Sequence, residues 1–162
     1  MEARMTDRLV VLISVLLASC AADHESSCRV PRSAELAPDE VTGPAMRPGS
    51  NCLRCHAKDG LAAKKPFSFG GTIFPSADSD VCEGVSGVTI HVTDAQGREI
   101  SVISNEAGNF WSAAPLTPPF SIRASRAGRE VRMPIEAPTG GCALCHSWPD
   151  ATGGAVGRIR QP

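Results

Sequence analysis

Two short cysteine motifs constrain this 162-residue chain more than any other feature. The pattern C-x-x-C-H occurs at residues 52–56 and again at residues 142–146. In each motif two thiols three residues apart lie on one side of a turn, and an imidazole follows directly. This spacing lets the thiols bond both vinyl groups of a protoporphyrin while the histidine binds its iron, as in c-type haem attachment. The sequence therefore predicts two covalent haems as cofactors, held by Cys52, Cys55, His56, Cys142, Cys145 and His146.

The amino terminus predicts export from the cytoplasm. Arg4 and Arg8 precede the apolar run 9–17, which is too short to span a bilayer of roughly 30 Å as a helix and fits a secretory signal peptide. Cys20 ends this stretch, which resembles a bacterial lipoprotein signal; an ordinary signal peptide is the alternative. The resemblance implies a signal peptide over residues 1–19 and a lipid on Cys20. Because the next residue is alanine and not aspartate, it also implies an outer-membrane lipoprotein facing the periplasm or the cell surface.

The cysteine count agrees with an exported chain, in which cysteines are expected to be bonded. Of the seven cysteines, one would carry lipid and four would hold haem, which leaves Cys28 and Cys82 as a predicted disulfide pair. Two other uses of the motif cysteines compete with haem, namely a redox dithiol and a zinc site. A histidine directly after both pairs, in an exported chain, favours haem.

Composition and periodicity divide the rest of the chain. Residues 20–50 are polar and rich in Pro, Ser and Glu, which predicts a flexible tether. Residues 51–66 and 135–162 are too polar and too rich in Gly and Pro to fold alone, and we expect each to wrap a haem. In residues 67–134 apolar and polar side chains alternate, and turns that contain glycine recur about every eight to twelve residues. This pattern indicates an antiparallel β-sandwich.

The segment 86–122 resembles the carboxypeptidase regulatory-like domain. The similarity rests on a hairpin over 86–97, a Gly-x-Phe strand within 104–110 and a proline-containing turn within 116–122, although Ser104 stands where that family commonly has threonine. The resemblance implies a mainly β, antiparallel Greek-key sandwich of the prealbumin type. Domains of this family are structural or adhesive, so the resemblance implies a scaffold without catalytic residues.

The sixth ligand of each iron has two candidates in the sequence. His91 alternates outward from the apolar face of a strand, and Met133 lies nine residues before Cys142. An exposed strand histidine and a core or edge methionine are the ordinary alternatives. Because the ends of such a domain commonly lie near each other, we expect both haems on one side of the sandwich, near enough for direct electron transfer.

These features together predict a lipid-anchored dihaem c-type cytochrome that exchanges electrons with redox protein partners. The alternative is a binding or structural lipoprotein without haem, whose C-x-x-C pairs hold zinc or form disulfides. A haem enzyme would need a distal acid–base pair, for which the chain offers only His91, so we expect no enzyme activity. The formal charge of −1, from 16 basic and 17 acidic residues, gives no indication of a nucleic-acid partner.

Overall fold

The computed structural model describes Gly43 and residues 46–162. The predicted signal peptide, the lipidation site Cys20, the disulfide candidate Cys28 and most of the predicted tether lie outside the described residues. Within the described part the chain is mainly β, and no helix there is long and apolar enough to cross a membrane. The elements are helix α1 (Cys52–Cys55), strands β1 (Phe69–Phe74), β2 (Thr89–Thr93), β3 (Glu99–Ile103), β4 (Asn109–Ser112), β5 (Ser121–Arg126) and β6 (Arg129–Arg132), a 3₁₀ turn (Cys142–Leu144) and strand β7 (Ile159–Arg160).

The strands form two sheets. One has the order β4-β1-β7 and the other has the order β3-β2-β5-β6. Among the pairings of these described strands, only that of β1 with β7 is parallel, and the others are antiparallel. The prediction of a mainly β, largely antiparallel fold is therefore confirmed.

One hydrophobic core joins the two sheets. Val88, Ile90 and Val92 are buried while His91 between them points the other way, as the alternation in the sequence predicts. The core cluster consists of Phe69, Ile73, Val88, Ile90, Val92, Phe110 and Phe120. Burying one such side chain stabilises the fold by about 1.5–3 kcal/mol. Because residues from both sheets contribute, this core sets the position of one sheet against the other.

Strand β1 is buried on both of its faces. Phe69 and Ile73 face the core, and alternate residues face the opposite side. On that opposite side, the Thr72 hydroxyl accepts a hydrogen bond from Gly49 N–H at 2.9 Å, and the Arg158 guanidinium lies 4.6 Å from the centre of the Phe74 ring. The segments before and after the strands thus cover the outer face of β1.

The carboxyl-terminal segment also extends the sheet. Strand β7 was not predicted, and it adds a parallel neighbour to Ile73 and Phe74. Upstream of β7, Gly70 pairs with Gly141 in an isolated parallel bridge. Residues 135–162 therefore contribute to the three-stranded sheet as well as carrying the second cysteine motif.

Candidate functional site

The two cysteine motifs meet on strand β1. A β carbon built on Gly70 would lie 3.3 Å from the Cys52 Sγ atom, and one built on Gly71 would lie 3.2 Å from the Cys142 Sγ atom. Since successive residues of a strand face opposite sides, Cys52 approaches the outer face of β1, whereas Cys142 approaches the core face and packs against the core cluster. The glycine pair leaves room for a cysteine on each face.

The motifs also approach each other directly. The Asn51 Oδ1 atom would lie 2.8 Å from a β carbon built on Gly141, the residue before the second motif. Burial, together with a smaller contribution from the nearby Cys52 thiol, raises the pKa of the Cys142 thiol to about 12. Burial likewise raises the pKa of Cys52 to about 11. Both thiols are therefore protonated near neutral pH.

Each motif forms one helical turn that carries its histidine. In the first, Asn51 caps helix α1 by accepting a hydrogen bond from Leu53 N–H at 3.2 Å, and His56 N–H donates to the Cys52 carbonyl at 2.9 Å. In the second, no side chain caps the 3₁₀ turn, but His146 N–H donates to the Cys142 carbonyl, also at 2.9 Å. This hydrogen bond occurs in both motifs, and it holds the first cysteine and the histidine of each on one turn.

The two imidazoles are oriented in the same way. His56 donates through Nδ1 to the Lys65 carbonyl at 2.7 Å, and His146 donates through Nδ1 to the Gly157 carbonyl at 3.0 Å. A carbonyl oxygen can only accept, so Nδ1 carries the proton of the neutral ring and Nε2 keeps its lone pair. A backbone carbonyl on one nitrogen is the usual arrangement that prepares the other nitrogen to bind a metal.

In both motifs the loop that follows the second cysteine returns to it after the same number of residues. The Cys55 carbonyl accepts from Ala62 N–H at 2.8 Å, and the Cys145 carbonyl accepts from Thr152 N–H at 3.0 Å. In each case the donor lies seven residues beyond the cysteine. The chain thus turns back on each motif and brings a later carbonyl to the imidazole.

Most of the exposed large apolar side chains lie in the two segments that carry the motifs. Leu61 beside the first motif is 87% exposed, and Val156 after the second is 74% exposed. Seven large hydrophobic residues of the described chain are exposed, and five of them, namely Leu61, Ile135, Leu144, Trp148 and Val156, lie in the segments 51–66 and 135–162. Exposed apolar side chains in a segment that also carries ligating groups are suited to contact with an apolar ligand. The flat apolar face of a porphyrin suits these segments, and the thiol and imidazole donors suit its vinyl groups and iron.

The zinc and disulfide alternatives concern the same four motif cysteines. Cys52, Cys55, Cys142 and Cys145 all carry free thiols. Within Gly43 and residues 46–162, no three cysteine, histidine or acidic side chains form a group that could hold a metal ion. Cys82 is disulfide-bonded, and its predicted partner Cys28 lies outside the described residues. The pairing of Cys82 with Cys28 stays a prediction.

Neither candidate for a sixth iron ligand lies on the sheet that carries the motifs. His91 is on the outward side of β2, where Nδ1 lies 2.8 Å from the Ser101 hydroxyl and Nε2 lies 3.2 Å from the Ser125 hydroxyl. Met133 follows β6, and its N–H donates to the Ile122 carbonyl at 3.0 Å. The structure therefore associates both residues with the four-stranded sheet, whereas the motifs contact β1.

Sequence reasoning missed the partners of the imidazoles. Lys65 and Gly157 act through main-chain carbonyls, which every residue has, so no sequence signal marks them. Phe67, whose ring stacks on His56, reads in the sequence as the start of a strand. The Gly70–Gly71 pair did carry a signal, because adjacent glycines inside a strand indicate either a bulge or the close approach of another chain segment.

Comparison of the chain with protein-family models, with curated proteins and with solved structures finds no match in any of the three. The resemblances to lipoprotein signals and to the carboxypeptidase regulatory-like domain therefore stay predictions.

Proposed function

We propose that this protein is a lipid-anchored dihaem c-type cytochrome that transfers electrons between redox partners in the periplasm or at the outer membrane. The observation that carries the proposal is the matched pair of Nδ1–carbonyl hydrogen bonds on His56 and His146. Both bonds leave Nε2 as the nitrogen with a lone pair, and both histidines follow a pair of free thiols. This is the donor set that covalent haem attachment needs, present twice.

The residues of each motif have separate tasks in this proposal. Each cysteine thiol adds across one vinyl group, so that an S–C bond forms and the thiol hydrogen passes to the neighbouring vinyl carbon. Each histidine would offer its Nε2 atom to the iron. The hydrogen bond from its backbone N–H to the carbonyl of the first cysteine keeps the histidine on the same turn as that cysteine. When bound, haem supplies an iron that takes up and gives back one electron. The exposed apolar side chains of the segments 51–66 and 135–162 would cover the bound group and exclude water from it.

The meeting of the motifs on β1 supports a two-centre relay. Cys52 and Cys142 contact opposite faces of adjacent glycines, and Asn51 lies against Gly141. Cys52 and Cys142 would thus hold two haems from adjacent positions of one strand, and in this proposal the pair would supply electron transfer within one chain. A rigid sheet under both attachment points keeps their separation constant.

The rest of the chain serves as scaffold and anchor in this proposal. Two sheets around one core support a sandwich, which we assign to the Greek-key type of the carboxypeptidase regulatory-like domain. Residues 20–50 would hold this scaffold away from the membrane, with lipid on Cys20. No catalytic role is assigned to the scaffold.

Expression of the full chain together with a cytochrome c maturation system tests the proposal. We expect pink protein with a c-type α-band on reduction and a mass roughly 1.2 kDa above that of the polypeptide. The matched control replaces the four motif cysteines with serine and should be colourless. A colourless wild-type protein that binds zinc, or one whose mass is lower by only a few hydrogens because disulfides have formed, would contradict the proposal.

A further inference from the structure

The two histidines differ in what covers their rings. The first site comprises Cys52, Cys55 and His56, and the second comprises Cys142, Cys145 and His146. His56 is only 7% exposed, and its ring stacks on Phe67 with 3.9 Å between centroids and 9° between planes. His146 is half-buried, and no aromatic ring of the described residues stacks on it. One imidazole is therefore held by a hydrogen bond and a ring, and the other by a hydrogen bond alone.

The Phe67 ring is itself held by the sheet. Its other neighbour is Trp111 on β4, at 5.7 Å between centroids and 22° between planes. The Phe67 N–H donates to the His56 carbonyl at 2.8 Å, and the next residue, Ser68, donates its N–H to the Ser112 carbonyl at 2.8 Å. The backbone of Phe67 is thus tied to the first motif, and its side chain rests on strand β4.

We propose that Phe67 is a positioning residue that sets the plane of the His56 imidazole and makes the two iron sites inequivalent. This inference rests on the proposed haem function. The hydrogen bond to Lys65 fixes the tautomer and the direction of one ring nitrogen, and the stacked ring fixes rotation about the Cβ–Cγ bond. The orientation and basicity of an axial ligand, together with the exclusion of water around it, tune the iron. At the second site the imidazole has the hydrogen bond to a carbonyl, but no ring of the described residues stacks on it.

Replacement of Phe67 in the haem-loaded full chain tests this inference. The readouts are a potentiometric titration and the electron paramagnetic resonance spectrum of the ferric protein. We expect two resolved signals in the wild type. Phe67→Leu should shift the signal and lower the potential of one site, because water that reaches the imidazole stabilises the ferric charge. The signal and the potential of the other site should stay unchanged. Phe67→Tyr keeps the ring and should restore the wild-type values.

Two further variants make the result specific. A chain with Cys142→Ser and Cys145→Ser retains only the first haem, and its signal must be the one that Phe67→Leu shifts. Ile103→Ala, on the exposed side of the other sheet, should leave both signals unchanged. If Phe67→Leu does not fold, Trp111→Leu withdraws the support of the ring and should shift the same signal by a smaller amount.

The possible failures are distinguishable. Wild-type protein without haem would overturn the proposed function and this inference with it. Protein with two haems whose signals and potentials are both unchanged in Phe67→Leu would overturn the inference and leave the proposed function intact. An equal shift of both signals would also overturn it, because Phe67 would then act on the fold as a whole.

Discussion

The first and second cysteine motifs carry the same thiols and imidazole on turns of different local structure. The first is an α-helical turn capped by Asn51, and its imidazole is buried under a ring. The second is a 3₁₀ turn without a side-chain cap, and its imidazole is half-buried. Common to both are the bond from histidine N–H to the first cysteine carbonyl and the Nδ1 bond to a later carbonyl. The two hydrogen bonds are therefore the features that we assign to the proposed haem attachment, whereas the cap and the stacked ring are the features in which the two motifs differ.

The largest expected effect is the loss of the haem from one site while the other site keeps its haem. Replacing both cysteines of one motif with serine should remove one haem and lower the mass by roughly 0.6 kDa, whereas the other motif keeps its own haem. The reason is that each motif contains its own thiols and histidine and is closed by its own loop. Mass spectrometry of the two double variants checks this. Loss of both haems from either variant would show that the two sites assemble as one unit.

The glycine pair should respond unequally to an added methyl group. On Gly71 a β carbon would lie 2.8 Å from both Cys142 Cβ and Phe110 Cζ, whereas on Gly70 its nearest neighbour would be Cys52 Cβ at 3.2 Å. Overpacking of this kind costs about 1–3 kcal/mol. We expect Gly71→Ala to lower the free energy of unfolding by such an amount, and Gly70→Ala to lower it by less. Denaturant unfolding of the two variants measures the difference, and a larger loss in Gly70→Ala would contradict the proposed seating of the cysteines.

The raised thiol pKa values predict an alkaline transition in the haem-free protein. Cys52 and Cys142 have pKa values of about 11 and about 12, above the ordinary 9.0. The folded state therefore holds these protons more tightly than the unfolded state. The corresponding stability is complete below about pH 9 and is lost as pH rises through 11 to 12. Site-resolved alkylation against pH should show Cys52 reacting before Cys142, and the reverse order would contradict the higher pKa of Cys142.

The cap on helix α1 offers a smaller and more local test. Asn51→Ala removes the acceptor for Leu53 N–H and should cost about 1 kcal/mol of unfolding free energy. Asn51→Asp keeps a side-chain oxygen at that position and serves as the matched control. Denaturant unfolding measures both, and amide exchange should localise the loss to the first motif. Equal losses in the two variants would mean that the cap bond has no role.

The smallest effect is expected at His91. Both of its ring nitrogens lie beside serine hydroxyls on the four-stranded sheet, so His91→Ala should leave the haem spectra unchanged. Its cost in unfolding free energy should be about 1 kcal/mol or less, which is typical of a half-buried hydrogen-bonded side chain. A change in the spin state or the position of the haem bands in this variant would instead identify His91 as an iron ligand.

Local patterns predicted much of the β structure. The alternation of Val88, Ile90 and Val92 places these side chains in the core and His91 outside it, as observed. Strand β7 escaped prediction because two residues, Ile159 and Arg160, are too few to show a period, and their pairing with β1 joins distant parts of the chain. The ring stack on His56 escaped it because Phe67 lies eleven residues further along the sequence.

The sequence by itself determined the chemistry that each motif offers, because C-x-x-C-H spacing is local and one turn of backbone brings its thiols and imidazole together. It also determined the alternation that separates core from surface in β2. Only the tertiary structure decided that Cys52 and Cys142, ninety positions apart, meet at Gly70 and Gly71. That meeting depends on sheet pairing between distant segments. Only the tertiary structure, too, decided which carbonyl each imidazole faces, because main-chain carbonyls are the same at every residue and only the path of the chain distinguishes them.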